Sequence, residues 1–223
     1  MKYIFKENYL LTPYKSFKIE LKSLILSKFF FFYYKFFLKV DKKYLNIGSG
    51  EEVKKWCLNL DFFRIDFWNA KYLVADIRKK LFFKDLSFKG VYSSHTLEHL
   101  TPNDSLKLLK EIYRILLLGG VVRICVPDIE QYCKFYFNKR FRAINKFKKI
   151  YKKGYVAMWN NFQNNHHLSC YDFECLKMFL KKADFRNIRK FQYGKSQDKL
   201  LSRLDKHSRS WNSLYVEGTK IKS

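Results

Sequence analysis

Apolar residues fall along the chain in short runs separated by longer amphipathic stretches. Tyr44–Gly48, Cys57–Phe62, Tyr72–Ile77, Gly90–His95 and Val121–Val126 are five such runs; the first ends at Gly48, the second near Asp61, the third is closed by Asp76, and the fifth is bounded by Pro127. Runs of this length read as strands, and their near-continuous apolar character suits a parallel sheet covered on both faces. Within Ser105–Leu118, Leu106, Leu109, Ile112, Tyr113 and Leu116 recur at helical spacing. Pro102 and Asn103-Asp104 supply a start for that helix, and Gly119 supplies a stop. Tyr171–Lys182 is a second amphipathic helix, and Arg186–Tyr193 and Ser213–Ile221 read as two closing strands. The pattern predicts an α/β fold: a seven-stranded, mostly parallel sheet with helices on both faces and the last strand antiparallel.

Two segments fall outside this alternation. Residues 1–42 form a basic, aromatic N-terminal segment, and the stretch through Lys43 carries ten lysines against three acids. Its run Ser23–Val40 is broken by Lys28, Lys35 and Lys39, whereas a spanning helix needs about 20 consecutive apolar residues. Those lysines share one helical face and aromatic rings fill the rest, which describes an interfacial helix on an anionic membrane surface. The competing expectation is a helix packed on the protein's own sheet. The domain proper is expected over 43–223, with a basic insertion at about 129–165. Ile129–Lys153 alone holds nine Lys or Arg with interleaved aromatics.

Charge narrows the partners without choosing one. The 223 residues carry a formal charge of +25, so the surface attracts phosphates, nucleic acid or acidic lipid headgroups. The five cysteines form no CxxC pair, which points to a reducing compartment. Cys57 and Cys125 lie in apolar strand runs and read as small buried hydrophobes. Met1–Tyr9 lacks the apolar core of a cleavable signal peptide, so a cytoplasmic location is expected, peripheral on the inner face of the membrane.

The chemistry-bearing residues cluster at strand ends. Leu45-Asn46-Ile47-Gly48-Ser49-Gly50 places two glycines at the end of the first strand, where backbone can approach a ligand closely. Asp61 closes the second strand, where an acid can accept both ribose hydroxyls of an adenosine ligand, and Asp76 closes the third, where it can meet an adenine edge with Leu81-Phe82-Phe83 facing the ring. Tyr92-Ser93-Ser94-His95-Thr96-Leu97-Glu98-His99-Leu100 follows the fourth strand, and Asp128 follows the fifth. His95-Thr96-Leu97-Glu98-His99 also matches H-x-x-E-H, an inverted zinc-protease pattern. That chemistry needs both imidazoles on one face of a stable helix, and Pro102 limits any helix here to about two turns, so no metal is expected. His166 and His167 follow an Asn-rich stretch, and adjacent histidines point apart, so at most one serves a site.

The stretches LNIGSG, LNLD, ADIRKKLFF, VYSSHTLEHL, LKEIYRILLLGGVVRICVPD and SLYVEGTK resemble the class I S-adenosylmethionine-dependent methyltransferases. The nearest resemblance is to the type 11 group, in the bacterial branch associated with polysaccharide synthesis. It spans about Lys43 to Lys220 and implies a Rossmann-like fold with S-adenosyl-L-methionine as cofactor. Carried onto this chain, it implies a cofactor loop at Gly48, Ser49 and Gly50, a ribose contact at Asp61, an adenine-side contact at Asp76 and a floor at Ser94 and His95. The chain departs from the pattern at Glu52, Phe82 and Leu118, where the class often has glycine, proline and proline. Only thirteen residues separate Gly48 from Asp61, so the first helix must be short.

Methyl transfer needs few catalytic groups: the acceptor is held in line and a base helps if it is a hydroxyl. His95, Asp128 and His166 are the candidate bases. The expected acceptor is a hydroxyl on a small molecule or glycan intermediate. The first alternative is RNA methylation, ranked lower because Ser93-Ser94-His95-Thr96 stands where base-amine methyltransferases carry an Asn-Pro-Pro-Tyr-like motif. The second is a methyltransferase-like scaffold without activity. A nicotinamide-dependent dehydrogenase would need a third glycine and an acid about 20 residues downstream.

Overall fold

The computed structural model describes residues 43–50, 53–62, 73–138 and 166–221, with Ile25 and Met158 as isolated positions. The segment expected to form an interfacial helix, Glu52 and most of the expected basic insertion lie outside the described residues. Seven strands form one sheet: β1 (Tyr44–Ile47), β2 (Leu58–Asp61), β3 (Leu73–Val74), β4 (Phe88–Ser94), β5 (Leu116–Pro127), β6 (Arg186–Phe191) and β7 (Ser213–Thr219). Their order is β3-β2-β1-β4-β5-β7-β6. β1 through β5 pair in parallel, and β7 runs antiparallel between β5 and β6. The sheet therefore has the seven strands and the antiparallel last strand that the apolar runs predict. Because order reverses between β1 and β4, the carboxyl ends of β1–β4 face the crevice where open α/β sheets take ligands.

Alternation along each strand divides the core. Leu45, Ile47, Val91, Val122, Ile124, Leu214 and Val216 face one side, where α1 (Pro102–Ile115) and α3 (Phe173–Lys182) cover them. Tyr44, Tyr92 and Val121 face the other side and meet Leu201 and Leu204, at and just beyond α4 (Lys199–Ser202). α1 begins where the sequence places it: Pro102 occupies its first turn, and the Thr101 side chain accepts from the Asp104 amide. It ends at Ile115, three residues before the expected stop. Leu116 turns extended to pair with Phe88, and the register of β5 against β4 shifts across Leu117–Gly120 before Gly90 meets Val121. Gly119, at φ +77°, sits in that irregular part of β5 and donates to the Lys220 carbonyl instead of closing the helix. A second difference concerns the insertion: its first residues form α2 (Ile129–Phe137), capped by Asp128. Residues 53–57 contain a turn and no helix, in keeping with the short link between β1 and β2.

The second face also buries charge. Arg123 on β5 is fully buried and its guanidinium meets Asp205 at 2.6 Å and Glu217 of β7 at 2.6 Å. Backbone amides of Gly194 and Gln197 donate to the same two carboxylates, and Arg123 lies over the Tyr215 ring at 5.0 Å. The network ties β5, β7 and the 192–205 connection into one unit. Arg123→Met would leave two buried carboxylates without their cation, so urea denaturation of this variant should show a loss of about 3–5 kcal/mol. A loss below about 1 kcal/mol would show that the carboxylates find other partners.

Candidate functional site

The turn after β1 is built around a steric exclusion. Gly48 has φ +69°, and a Cβ there would lie 2.0 Å from Thr96 Oγ1. Thr96 follows β4, and its hydroxyl is within reach of the Ser94 and Ile47 carbonyls at 3.2 and 3.5 Å. The Gly48 and Ser49 amides both donate to the Leu60 carbonyl of β2, at 2.8 and 3.2 Å. The turn is thereby fastened to strands on either side. Gly50, also left-handed at φ +53°, faces open space: a Cβ there would meet nothing within 4 Å.

Asp61 closes this rim. Its carboxylate accepts from the Gly50 amide at 2.8 Å, so the acid ending β2 and the turn ending β1 form one surface. Ser49 Oγ is buried and, among the described residues, has no hydrogen-bond partner, which leaves a polar atom able to take a ligand group. Below them, Asn59 holds the 53–57 link in place: its amide donates to the Lys54 and Cys57 carbonyls, and its oxygen accepts from the Lys54 amide. Two glycines in ligand-accommodating conformations, an orphaned hydroxyl and a strand-end carboxylate fit an adenosine cofactor.

Asp76 lies at the same edge, two residues beyond β3, but its carboxylate is engaged. Arg78 grips it through Nε at 2.9 Å and Nη2 at 3.1 Å, and the same guanidinium lies 5.3 Å over the Phe62 ring. Any adenine contact at Asp76 is therefore shared with Arg78. Leu81, Phe82 and Phe83 do not face this rim. They are buried in the main core, with Phe83 edge-on to Phe88 at 4.8 Å, because Arg114 holds the Leu81 and Phe83 carbonyls.

After β4 the chain turns sharply. His95 is left-handed at φ +52°, a strained conformation for a side chain with a Cβ. Its amide donates to the Cys125 carbonyl at 2.8 Å, which fixes the turn against β5. Its imidazole lies between two partners: Nδ1 is 3.1 Å from Glu98 Oε1, and Nε2 is 2.9 Å from the Ser213 hydroxyl at the start of β7. Burial pushes the His95 imidazole below its ordinary value, against the pull of Glu98. With Nδ1 turned to the carboxylate, Nε2 is the nitrogen left to accept a proton. Burial likewise pushes the Cys125 thiol up to about 11, and Cys57 up to about 11, so both stay protonated and behave as the small hydrophobes expected.

The remaining candidate bases differ in availability. Asp128 caps α2 by accepting from the Gln131 amide, and its other oxygen pairs with Lys190 at 3.3 Å, so it serves structure first. His166 is exposed at φ +53°. Its neighbour His167 instead packs edge-on against His99, with ring centroids 4.9 Å apart. Of the two adjacent histidines, His167 is the one that reaches the β4 end. Sequence reasoning missed Glu98 and Ser213 as partners of His95. The H-x-x-E-H spacing was the available signal for Glu98, whereas Ser213 reaches His95 only through the antiparallel pairing of β5 and β7.

Comparison with known proteins agrees with this architecture. Residues 47–124 match the family described as Methyltransferase domain. The matched segment runs from the end of β1 into β5 and so contains the whole rim. The fold is similar to a SAM-dependent methyltransferase from Archaeoglobus fulgidus, at 16% identity over 91% of this chain and 94% of that one, with a TM-score of 0.52. It is also similar to the S-adenosylmethionine-dependent methyltransferase SibL, at 14% identity over 88% of this chain and 56% of that one, with a TM-score of 0.51. A search of curated protein sequences found no match. The fold is thus the Rossmann-like one of the class I methyltransferases.

The two glycines of the turn should respond differently to substitution. Gly50→Ala meets only the cost of a left-handed side chain, about 1–2 kcal/mol. Gly48→Ala adds overpacking against Thr96, for a total of about 2–4 kcal/mol. Chemical denaturation of both variants checks the difference, and equal losses would contradict the close approach to Thr96.

Proposed function

We propose that the chain is an S-adenosylmethionine-dependent methyltransferase acting on a hydroxyl of a small molecule or glycan intermediate. The observation that carries this reading is the rim where Asp61 accepts the Gly50 amide beside the orphaned Ser49 hydroxyl. Bound there, S-adenosylmethionine would supply an electrophilic methyl group carried on a sulfonium sulfur. Gly48 and Gly50 would let backbone approach it, Ser49 would gain its missing partner, and the Asp61 carboxylate would accept ribose hydroxyls. Ser94 lies at the end of β4, beside His95 and within the same rim.

His95 is the strongest candidate base in this arrangement. Its ring is oriented by Glu98 and Ser213, and Nε2 faces an oxygen that a hydroxyl acceptor could replace as proton donor. With the methyl group supplied by the bound cofactor, His95 would take up the proton that the acceptor hydroxyl gives up as its oxygen is methylated. A sugar acceptor carrying phosphate suits the charge of +25. The membrane role expected of residues 1–42 falls on residues outside the described ones. Among the described residues no helix is long and apolar enough to cross a membrane.

Calorimetric titration with S-adenosylhomocysteine tests the cofactor assignment. Each buried charge-assisted hydrogen bond to ribose contributes about 1.5–3 kcal/mol, so Asp61→Ala should weaken binding at least tenfold while the protein stays folded. Unchanged affinity in the variant removes Asp61 from the site. A wild-type protein that binds no S-adenosylhomocysteine is a scaffold and not an enzyme.

A further inference from the structure

Beyond β4 the chain enters a single 3-10 turn, Leu97–His99, whose middle residue is the least expected in the fold. Glu98 is 1% exposed, and among the described residues the closest side-chain partner of its carboxylate is the His95 imidazole. Oε1 lies 3.1 Å from His95 Nδ1, and among the described residues no lysine or arginine pairs with it. A buried carboxylate in that condition is costly unless a cation completes it.

Two imidazoles stand beside it. One ligand atom from each of Glu98, His99 and His167 lies within 4.8 Å of the other two. An ion bonded to each at about 2.0–2.2 Å would draw such atoms to roughly 3.3 Å apart, a closure within the reach of side-chain rotation. The grouping is not an accident of a loose loop. The Glu98 carbonyl accepts from both the Leu168 amide, at 2.7 Å, and the Ser169 amide, at 3.1 Å. The Ser169 hydroxyl is within hydrogen-bond distance of the Leu97 and Leu100 carbonyls, at 3.2 Å each. The backbone that carries His167 is thereby locked onto the turn that carries Glu98 and His99.

We propose that Glu98, His99 and His167 bind one divalent transition-metal ion of the zinc type. Two neutral nitrogens and one carboxylate, with no thiolate among them, suit such an ion better than a hard cation. Three protein ligands leave a coordination position open, and exposed His99 places it toward solvent. His95 then acts as a positioning residue that orients Glu98 from behind. The H-x-x-E-H stretch is thus used in another way than its protease pattern implies: His95 supports, and His167 supplies the ligand that the short turn cannot. What the ion would do rests on the methyltransferase reading, where it would hold an acceptor oxygen and ease the loss of its proton. Binding of the ion itself does not depend on that reading.

The test uses the full-length protein stripped of metal with a chelator. Zn2+ is titrated in competition with a chromophoric chelator, and Co2+ is followed by visible absorption. The expected result is one equivalent bound, with a cobalt spectrum free of thiolate charge transfer. His99→Ala and His167→Ala should each weaken binding by at least the roughly 100-fold that loss of a supporting residue can cost, with circular dichroism unchanged. These two side chains are exposed or half-buried, so their variants report on binding even if Glu98→Gln fails to fold. Absence of tight binding, binding insensitive to both histidine variants, or binding lost in Cys170→Ser each overturns the proposal. S-adenosylhomocysteine titration of the same samples keeps the two readings apart. Cofactor binding without metal overturns only the metal site, and metal binding without cofactor leaves the site standing and removes its role in methyl transfer.

Discussion

The site depends on one contact that leaves no room for a side chain. Gly48 at φ +69° meets the Thr96 hydroxyl where a Cβ would stand 2.0 Å away. Through that contact the turn after β1 and the turn after β4 become neighbours, and everything attributed to function hangs from one or the other. The first carries Ser49 and Gly50 and leans on Asp61; the second carries His95, Glu98 and His99. A side chain at position 48 would push apart a rim whose groups lie on separate strands.

Strands on the far side of the sheet hold the second turn in place. Ser213, the first residue of β7, meets His95, and β7 is fixed to β5 by a seven-pair register and by the Arg123–Glu217 ion pair. Buried ion pairs are weak sources of stability because desolvation offsets their attraction. This one acts more through specificity: Arg123 and Glu217 face each other in only one register of β5 against β7, and that register sets Ser213 opposite Pro127. A slip by one residue would turn Ser213 to the other face of the sheet.

Much of the fold was legible because its signals are local. Short apolar runs located five of the seven strands, the two closing strands were read at Arg186–Tyr193 and Ser213–Ile221, and Pro102 began the main helix near where its spacing required. The end of that helix was not legible. Leu116 fits the helical stripe as well as it fits a strand, and only pairing with Phe88 across the sheet decides the matter. The acids show the same division. Asp61 and Asp76 could be placed at strand ends from sequence, but that Arg78 would occupy Asp76 depends on side-chain reach. Asp128 looked like a base and is also a helix cap. The choice between His166 and His167 turned on a left-handed residue and on two amides bonded to a carbonyl about 70 positions earlier, which no periodicity encodes.

The central claim is that the carboxyl ends of β1, β2 and β4 form a single cofactor rim. Amide hydrogen exchange of the full-length protein, with and without S-adenosylhomocysteine, addresses it directly. The account predicts added protection confined to the turn at Gly48–Gly50, the end of β2 at Asp61 and the turn at Ser94–Thr96, with β6 and α3 unchanged. Protection elsewhere in the sheet, or none at saturating ligand, would contradict it.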